Sequence, residues 1–298
     1  MPTRWQELVD RIHAIRPELD LELAELVPDG TENDVMLVGD DHVFRFPRDE
    51  RAVARQQEEA KLLDFIRRHV DGPLPELTLP ADDIGYYPYL IGVPLTPVQL
   101  QRLALVPRRA VLGALGEMLR QLHSIPLEPA IEAGFLPSDT YRSLENWQAL
   151  LEQVRSDLYP SMLPYQREWV EQHFGTVLRG EISLDFEPAI IHGDLGVYHI
   201  LYDPLLVKLA GVIDFGTVGL GDPAIDIAFL IVQYGETLTR MVLTAYPEAR
   251  FFIDRARFWA GTLELQWALA GQRRNEPSLQ LAHIGNARDM LPPGSANG

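Results

Sequence analysis

The chain contains no cysteine, which excludes disulfides, thiolate metal sites and a cysteine nucleophile and is compatible with a reducing compartment. Cations are scarce: 26 Lys and Arg stand against 43 Asp and Glu, giving a net charge of −17. Binding a polyanion needs clustered Lys and Arg, so nucleic acid is not expected as a partner. The acidic balance is compatible with a cationic small molecule, and equally with solubility alone. No apolar run reaches the roughly 18 residues a membrane-spanning helix needs, so no membrane partner is expected. Residues 1–20 carry charge throughout and lack the apolar centre of a secretion signal, which makes the cytoplasm the expected location. Two phosphate-binding signatures are also missing. No G-x-x-x-x-G-K-[ST] exists, which excludes a P-loop enzyme, and no G-x-G-x-x-G precedes the second strand candidate.

What is present is ordinary soluble globular material, 46% apolar and 23% charged over 298 residues, enough for one bilobal unit or two domains. Trp5, Leu8, Val9, Ile12 and Ile15 fall on one face of a helix over Trp5–Arg16. Strand candidates follow at Leu21–Leu26, Val35–Val38 and Val43–Phe46, the last with Val43 and Arg45 on one face and Phe44 and Phe46 on the other. A helix is expected from about Glu50 to Val70, with Glu59, Leu62, Leu63, Ile66 and Val70 sharing a face. A glutamate on such a face wants a cation, and Arg45 is the candidate; otherwise Glu59 marks the solvated edge of the stripe. The proline-rich stretch Pro73–Pro97, with Tyr86-Tyr87-Pro88-Tyr89, reads as strands entering a connector. Helices are expected beyond it at Arg108–Ser124, Tyr141–Tyr159, Pro164–Arg179, Pro223–Tyr234, Glu236–Ala245 and Glu248–Leu269. The tail Leu291–Gly298 reads as disordered. The pattern divides into an N-terminal lobe over 1–92 and a C-terminal lobe over 93–298.

The most informative stretch is Ile190-Ile191-His192-Gly193-Asp194-Leu195-Gly196-Val197-Tyr198-His199-Ile200-Leu201, followed by Gly211-Val212-Ile213-Asp214-Phe215-Gly216. An apolar strand delivers Asp194 to a loop, a metal-type ligand follows at His199, and a second apolar strand ends at Asp214. Kinases need this order of parts: a carboxylate that positions the attacking hydroxyl, then two ligands for magnesium. Asp194 is thus the catalytic candidate. Asp214 is the expected magnesium ligand; His199, an imidazole, is the weaker one, since magnesium prefers oxygen. Arg45 holds the place from which a strand lysine grips the nucleotide phosphates, while pairing with Glu59 alone would be a structural use. The only candidate for a phosphate-facing loop is Gly30–Asn33. Asp222 and Pro223 suit a helix start. Asp226 either supports the catalytic loop from beneath or faces the substrate.

At these residues the chain resembles the aminoglycoside phosphotransferase family, in the group holding the aminoglycoside 2″- and macrolide 2′-phosphotransferases. The likeness rests on Val43-Phe44-Arg45-Phe46-Pro47-Arg48, Glu59–Leu63, Leu122-His123-Ser124-Ile125-Pro126, His192–Leu201, Ile213–Gly216 and Gly221–Asp226. It implies an α+β, protein-kinase-like bilobal fold: a small antiparallel-sheet N-terminal lobe and a larger, mainly helical C-terminal lobe. It implies ATP or GTP as donor with Mg2+, contacts to the nucleotide from Arg45, Glu59, Tyr87 and Tyr89, and a monomer. The acceptor implied is the hydroxyl of a small-molecule antibiotic, with Glu236, Asp226 and Trp267 as substrate contacts. The chain departs from the aminoglycoside 2″ enzymes at Arg45, usually lysine, and at Thr217, often an acid. The acidic balance favours an aminoglycoside over a macrolide; a metabolic kinase for choline, a sugar or an amino acid is an alternative, and Arg45 also permits a nucleotide-binding protein without turnover, against which intact Asp194 and Asp214 argue.

Overall fold

The computed structural model describes residues 3–27, 33–138 and 143–276. The Thr3 side chain caps α1 (Arg4–Ile15) by accepting from the Gln6 amide, and the helix buries Leu8, Val9 and Ile12. This stripe meets Met36, Val38, Phe44, Phe46 and Ile84 in a small core under a five-stranded antiparallel sheet. The strands are β1 (Ala24–Val27), β2 (Asn33–Val38), β3 (His42–Pro47), β4 (Thr78–Ala81) and β5 (Ile84–Pro88), ordered β1-β2-β3-β5-β4. The strand expected from Leu21 begins late. Asp20 accepts from the Glu22 amide, turning Leu21–Leu23 into a 3-10 turn, and pairing with β2 starts at Ala24. Alternation along β3 holds: Phe44 and Phe46 enter the small core, and Arg45 faces away from it. Between β3 and β4 runs α2 (Glu50–Arg67), capped by Asp49, whose Leu62, Leu63 and Ile66 belong to the larger core instead.

The rest is mainly helical. Short β6 (Val93–Pro94) leads to α3 (Pro97–Arg102), α4 (Leu105–His123), α5 (Leu127–Ala133), α6 (Leu144–Gln153) and α7 (Pro164–Leu178). A π-helical turn over Val154–Leu158 continues α6. Strand β7 (Ala189–Ile191) pairs with β10 (Gly219–Gly221), while β8 (Ile200–Asp203) lies between β6 and β9 (Lys208–Val212). Two long helices close the chain, α8 (Ala224–Leu243) and α9 (Ile253–Arg274). An antiparallel-sheet lobe thus joins a larger helical lobe, the α+β kinase-like arrangement expected. Neither α3 nor α5 is among the helices expected from the sequence. Gly30, Thr31, Glu32 and the tail Leu291–Gly298 lie outside the described residues.

Two glycines shape the helical lobe. Gly116 on α4 has no room for a side chain, since a Cβ there would lie 2.1 Å from the Val242 carbonyl oxygen. Gly235 interrupts α8 with φ 73 and ψ 165, a conformation essentially restricted to glycine. A straight helix would separate residues twenty apart by about 30 Å. Broken at Gly235, the chain turns so that Asp226 and Tyr246 both reach the His123 imidazole.

Candidate active site

The apolar strand β7 carries the chain through the core and releases it as a loop at His192. A loop leaving a core brings backbone donors that need partners. Asp226, fully buried in the first turn of α8, supplies them: Oδ2 accepts from the His192 amide at 2.8 Å and Oδ1 from the Gly193 amide at 2.9 Å. His123 Nε2 lies 2.9 Å from the same Oδ2, and its Nδ1 lies 3.0 Å from the Tyr246 hydroxyl. Burial alone would raise the Asp226 pKa, but the His123 contact, the nearby imidazoles and the Gly193 amide hold it below its ordinary value. Gly193 has φ 81, and a Cβ there would meet the Thr217 carbonyl oxygen at 2.9 Å.

His192 joins this loop to the next strand. Its Nδ1 accepts from the Asp194 amide at 3.3 Å, so Nε2–H donates to the Ile213 carbonyl at 3.0 Å. Burial depresses the His192 pKa, which keeps the ring neutral and this tautomer in place. The Thr217 hydroxyl donates to the His192 carbonyl at 2.8 Å. Asp194 and the residue preceding Asp214 are therefore fastened through one imidazole. Asp214 itself adopts φ 66, left-handed geometry that aspartate tolerates better than most residues.

The two acidic side chains are about half exposed, and His199 stands between them. Its Nδ1–H donates to the Asp194 carbonyl at 2.7 Å, so in the neutral ring Nε2 carries a lone pair. That atom faces Asp214 Oδ2 at 3.4 Å. Two lone pairs at this distance repel unless the ring is protonated or a cation stands beside both. This donor set suits magnesium, which binds through few protein ligands and completes its shell with water and phosphate oxygens.

Opposite lies the expected ion pair. Arg45 Nη1 is 3.0 Å from Glu59 Oε1 and 2.9 Å from Oε2, with both side chains largely buried. Burial lowers the Arg45 pKa, but the attraction and hydrogen bond of Glu59 outweigh it and the net shift is upward. Arg45, Glu59, Tyr87, Asp194, His199, Asp214 and Thr217 all line one cleft of about 510 Å3.

Several expectations need correction. Tyr89 is not among the residues lining that cleft; the residue is 39% exposed and its amide donates to the Asp41 carbonyl. Asp226 is not a substrate contact, since its carboxylate is sealed beneath the His192–Asp194 loop. Glu236 is not an open acid either. It is 4% exposed and accepts from Arg257 Nε at 2.7 Å and Nη2 at 3.0 Å, with Arg240 3.6 Å away. It lines a separate cavity of about 340 Å3 that shares no residue with the cleft. Trp267 packs against the large core, its ring 6.3 Å from that of Phe229, one helical turn beyond Asp226. The sequence reading assigned no role to His123, His192 or Arg257. His123 closes an apolar helix and His192 follows an apolar strand, and those placements were the available signal.

The site can be set beside known proteins. The chain is 35% identical over 134 residues to viomycin phosphotransferase of Streptomyces vinaceus, which is 43% of this chain and only 44% of that protein. It is 26% identical over 254 residues to the uncharacterized protein YcbJ of Bacillus subtilis, covering 80% of this chain and 78% of that one. Among solved structures, the GDP and kanamycin complex of an aminoglycoside 2″-phosphotransferase IIIa superposes with a TM-score of 0.78 at 23% identity, covering 93% and 96% of the two chains. A macrolide 2′-phosphotransferase from Brachybacterium faecium gives 0.69 at 22% identity, covering 99% and 100%. At such identities these likenesses carry the fold. Residues 24–259 match the model of the phosphotransferase enzyme family, and with that match and this fold the chain belongs to that family.

Proposed function

We propose that this chain is an antibiotic kinase that transfers the γ-phosphate of ATP or GTP to a hydroxyl of an aminoglycoside. One observation carries the reading: Asp194, His199 and Asp214 share a single cleft with the Arg45–Glu59 pair. Relatives named for viomycin, aminoglycosides and macrolides support an antibiotic acceptor.

In this reading Asp194 orients the acceptor hydroxyl and receives its proton; a loose phosphoryl transition state asks more for alignment than for strong base. Asp214 and His199 hold Mg2+, which would neutralise charge on the phosphates. Arg45, kept in place by Glu59, contacts the phosphates, and Tyr87 borders the nucleotide. The nucleotide side corresponds to residues 1–92 and the acceptor side to 93–298. The neutralised Glu236 removes one acid expected to meet a polycation, and that favours a macrolide hydroxyl as the second reading.

The test is a phosphate-transfer panel of kanamycin, viomycin, a macrolide and choline, each with ATP and with GTP. Magnesium-dependent turnover of kanamycin is expected. Turnover of the macrolide alone promotes the second reading, and turnover of choline alone overturns the antibiotic assignment.

A further inference from the structure

Helix α2 turns more than Glu59 toward the cleft. Ala52, Arg55, Gln56, Glu59 and Leu63 line it together, as spacings of three and four on one helix require. Arg45, held by Glu59, is one lining cation. Arg55, one turn nearer the helix N-terminus, is the second lining cation, and it shares the cleft with Asp194, Asp214, Gly216 and Thr217. Beside it sits an anomaly. Gln56 is 1% exposed, yet among the described residues neither its amide oxygen nor its amide nitrogen has a hydrogen-bond partner. Strand β5 makes room for it: a Cβ on Gly85 would lie 2.6 Å from Gln56 Oε1. A buried amide without partners is costly and normally marks a place where a ligand or water completes the set.

We infer that Arg55, backed by the Gln56 amide, grips the terminal phosphate of the nucleotide, so that this wall separates triphosphate from diphosphate. The inference rests on the kinase reading above. For transfer to occur, the terminal phosphate must lie beside the acceptor-orienting Asp194. A cation lining the same cleft as Asp194 from the opposite lobe therefore addresses that phosphate rather than the base. An arginine fork suits phosphate oxygens, and the amide adds a neutral donor once its NH2 is turned toward them. The nearby N-terminal end of α2 adds its positive dipole in the same sense. Product release follows: once the terminal phosphate has left, the wall no longer holds the diphosphate.

The experiment is calorimetric titration of the full chain, with magnesium, using a non-hydrolysable triphosphate and the matching diphosphate. Arg55 is exposed, so Arg55→Ala should fold normally. It is expected to weaken the triphosphate about tenfold or more and the diphosphate under about twofold, while Arg55→Lys recovers most of the loss. Gln56→Met is expected to raise the melting temperature of the free protein and to reduce the extra stabilisation given by triphosphate over diphosphate. Equal weakening of both nucleotides in Arg55→Ala, or weakening of neither, overturns the inference. A parent chain that binds neither nucleotide defeats the kinase reading itself, which is a separate failure.

Discussion

His123 and Asp226, 103 residues apart in sequence, meet with Nε2 2.9 Å from Oδ2 where no solvent reaches either side chain. The contact orients a carboxylate whose oxygens also hold the amides of His192 and Gly193, the two residues before Asp194. Leaving a buried hydrogen-bond partner unsatisfied costs about 1–3 kcal/mol. His123→Phe is therefore expected to lower the melting temperature and kcat together while the nucleotide Kd changes little. Thermal melts, initial rates and calorimetry on one preparation check this. A variant with lower stability and parental kcat would mean the pair serves folding only.

For the reaction itself, Asp194→Asn keeps the shape of the loop and removes its charge. Turnover should fall by about three orders of magnitude, since it loses both alignment and a proton acceptor. Nucleotide affinity should stay close to parental. Asp214→Ala should abolish the magnesium dependence of nucleotide binding, whereas His199→Ala should only reduce it. Calorimetry with and without magnesium separates the two.

Arg45 and Glu59 give a paired test. Arg45→Met leaves a buried carboxylate without its cation, at a cost of about 3–5 kcal/mol. Adding Glu59→Gln should recover part of that stability but none of the nucleotide affinity. Arg45→Lys should keep activity. Denaturant unfolding and nucleotide titration of the four proteins decide whether the arginine acts on the phosphates; normal affinity in Arg45→Met would make it purely structural.

The fold was legible wherever periodicity and local chemistry agreed. Alternation in Val43–Phe46 placed Arg45 opposite the core, and the phase of α2 placed Glu59 toward it. The motif spacing put Asp194, His199 and Asp214 together because the short antiparallel pair β8 and β9 joins them. What stayed hidden depends on which side chains satisfy which others across the fold. Glu236 looked like an open acid because nothing local reveals that Arg257, on the next helix, claims it. Tyr87 and Tyr89 looked equivalent because the departure from β5 at Pro88 cannot be read from the sequence. His123, at the end of α4, gave no sign that its partner lay on α8.

Glu236 now carries a different expectation. Glu236→Gln weakens the contacts to Arg257, which is 1% exposed, so the loss should appear in stability. The Michaelis constant for kanamycin should change little, and its salt dependence should match the parent. A strong rise in that constant at unchanged melting temperature would return Glu236 to the acceptor site.

Acid should destabilise the protein before its carboxylates titrate. His173 is buried with its ring stacked between Trp169 and Phe258, and burial lowers its pKa to about 4. Nε2–H donates to the Phe258 carbonyl at 2.9 Å. The unfolded chain takes up a proton at this residue near pH 6.5, while the folded chain stays neutral down to about 4. Stability is thus lost as pH falls through that window, by about 2 kcal/mol at pH 5 from this residue alone. His192 acts in the same direction. Denaturant melts at pH 7.5 and pH 5 should show the loss, and His173→Phe should show a smaller difference between the two, whatever its absolute stability.

The break at Gly235 has a spectroscopic consequence. Because it folds α8 back, a single imidazole touches both the carboxylate that holds the His192–Gly193 amides and a tyrosine from the segment leading into α9. The two ring nitrogens of His123 therefore report on two different parts of the molecule. In a nitrogen-15 spectrum, a change at Nε2 would register rearrangement of the His192–Asp194 loop, and a change at Nδ1 would register movement around Tyr246. Titrating nucleotide and acceptor separately while following this one side chain would show which of them is felt at the far end of the helical lobe.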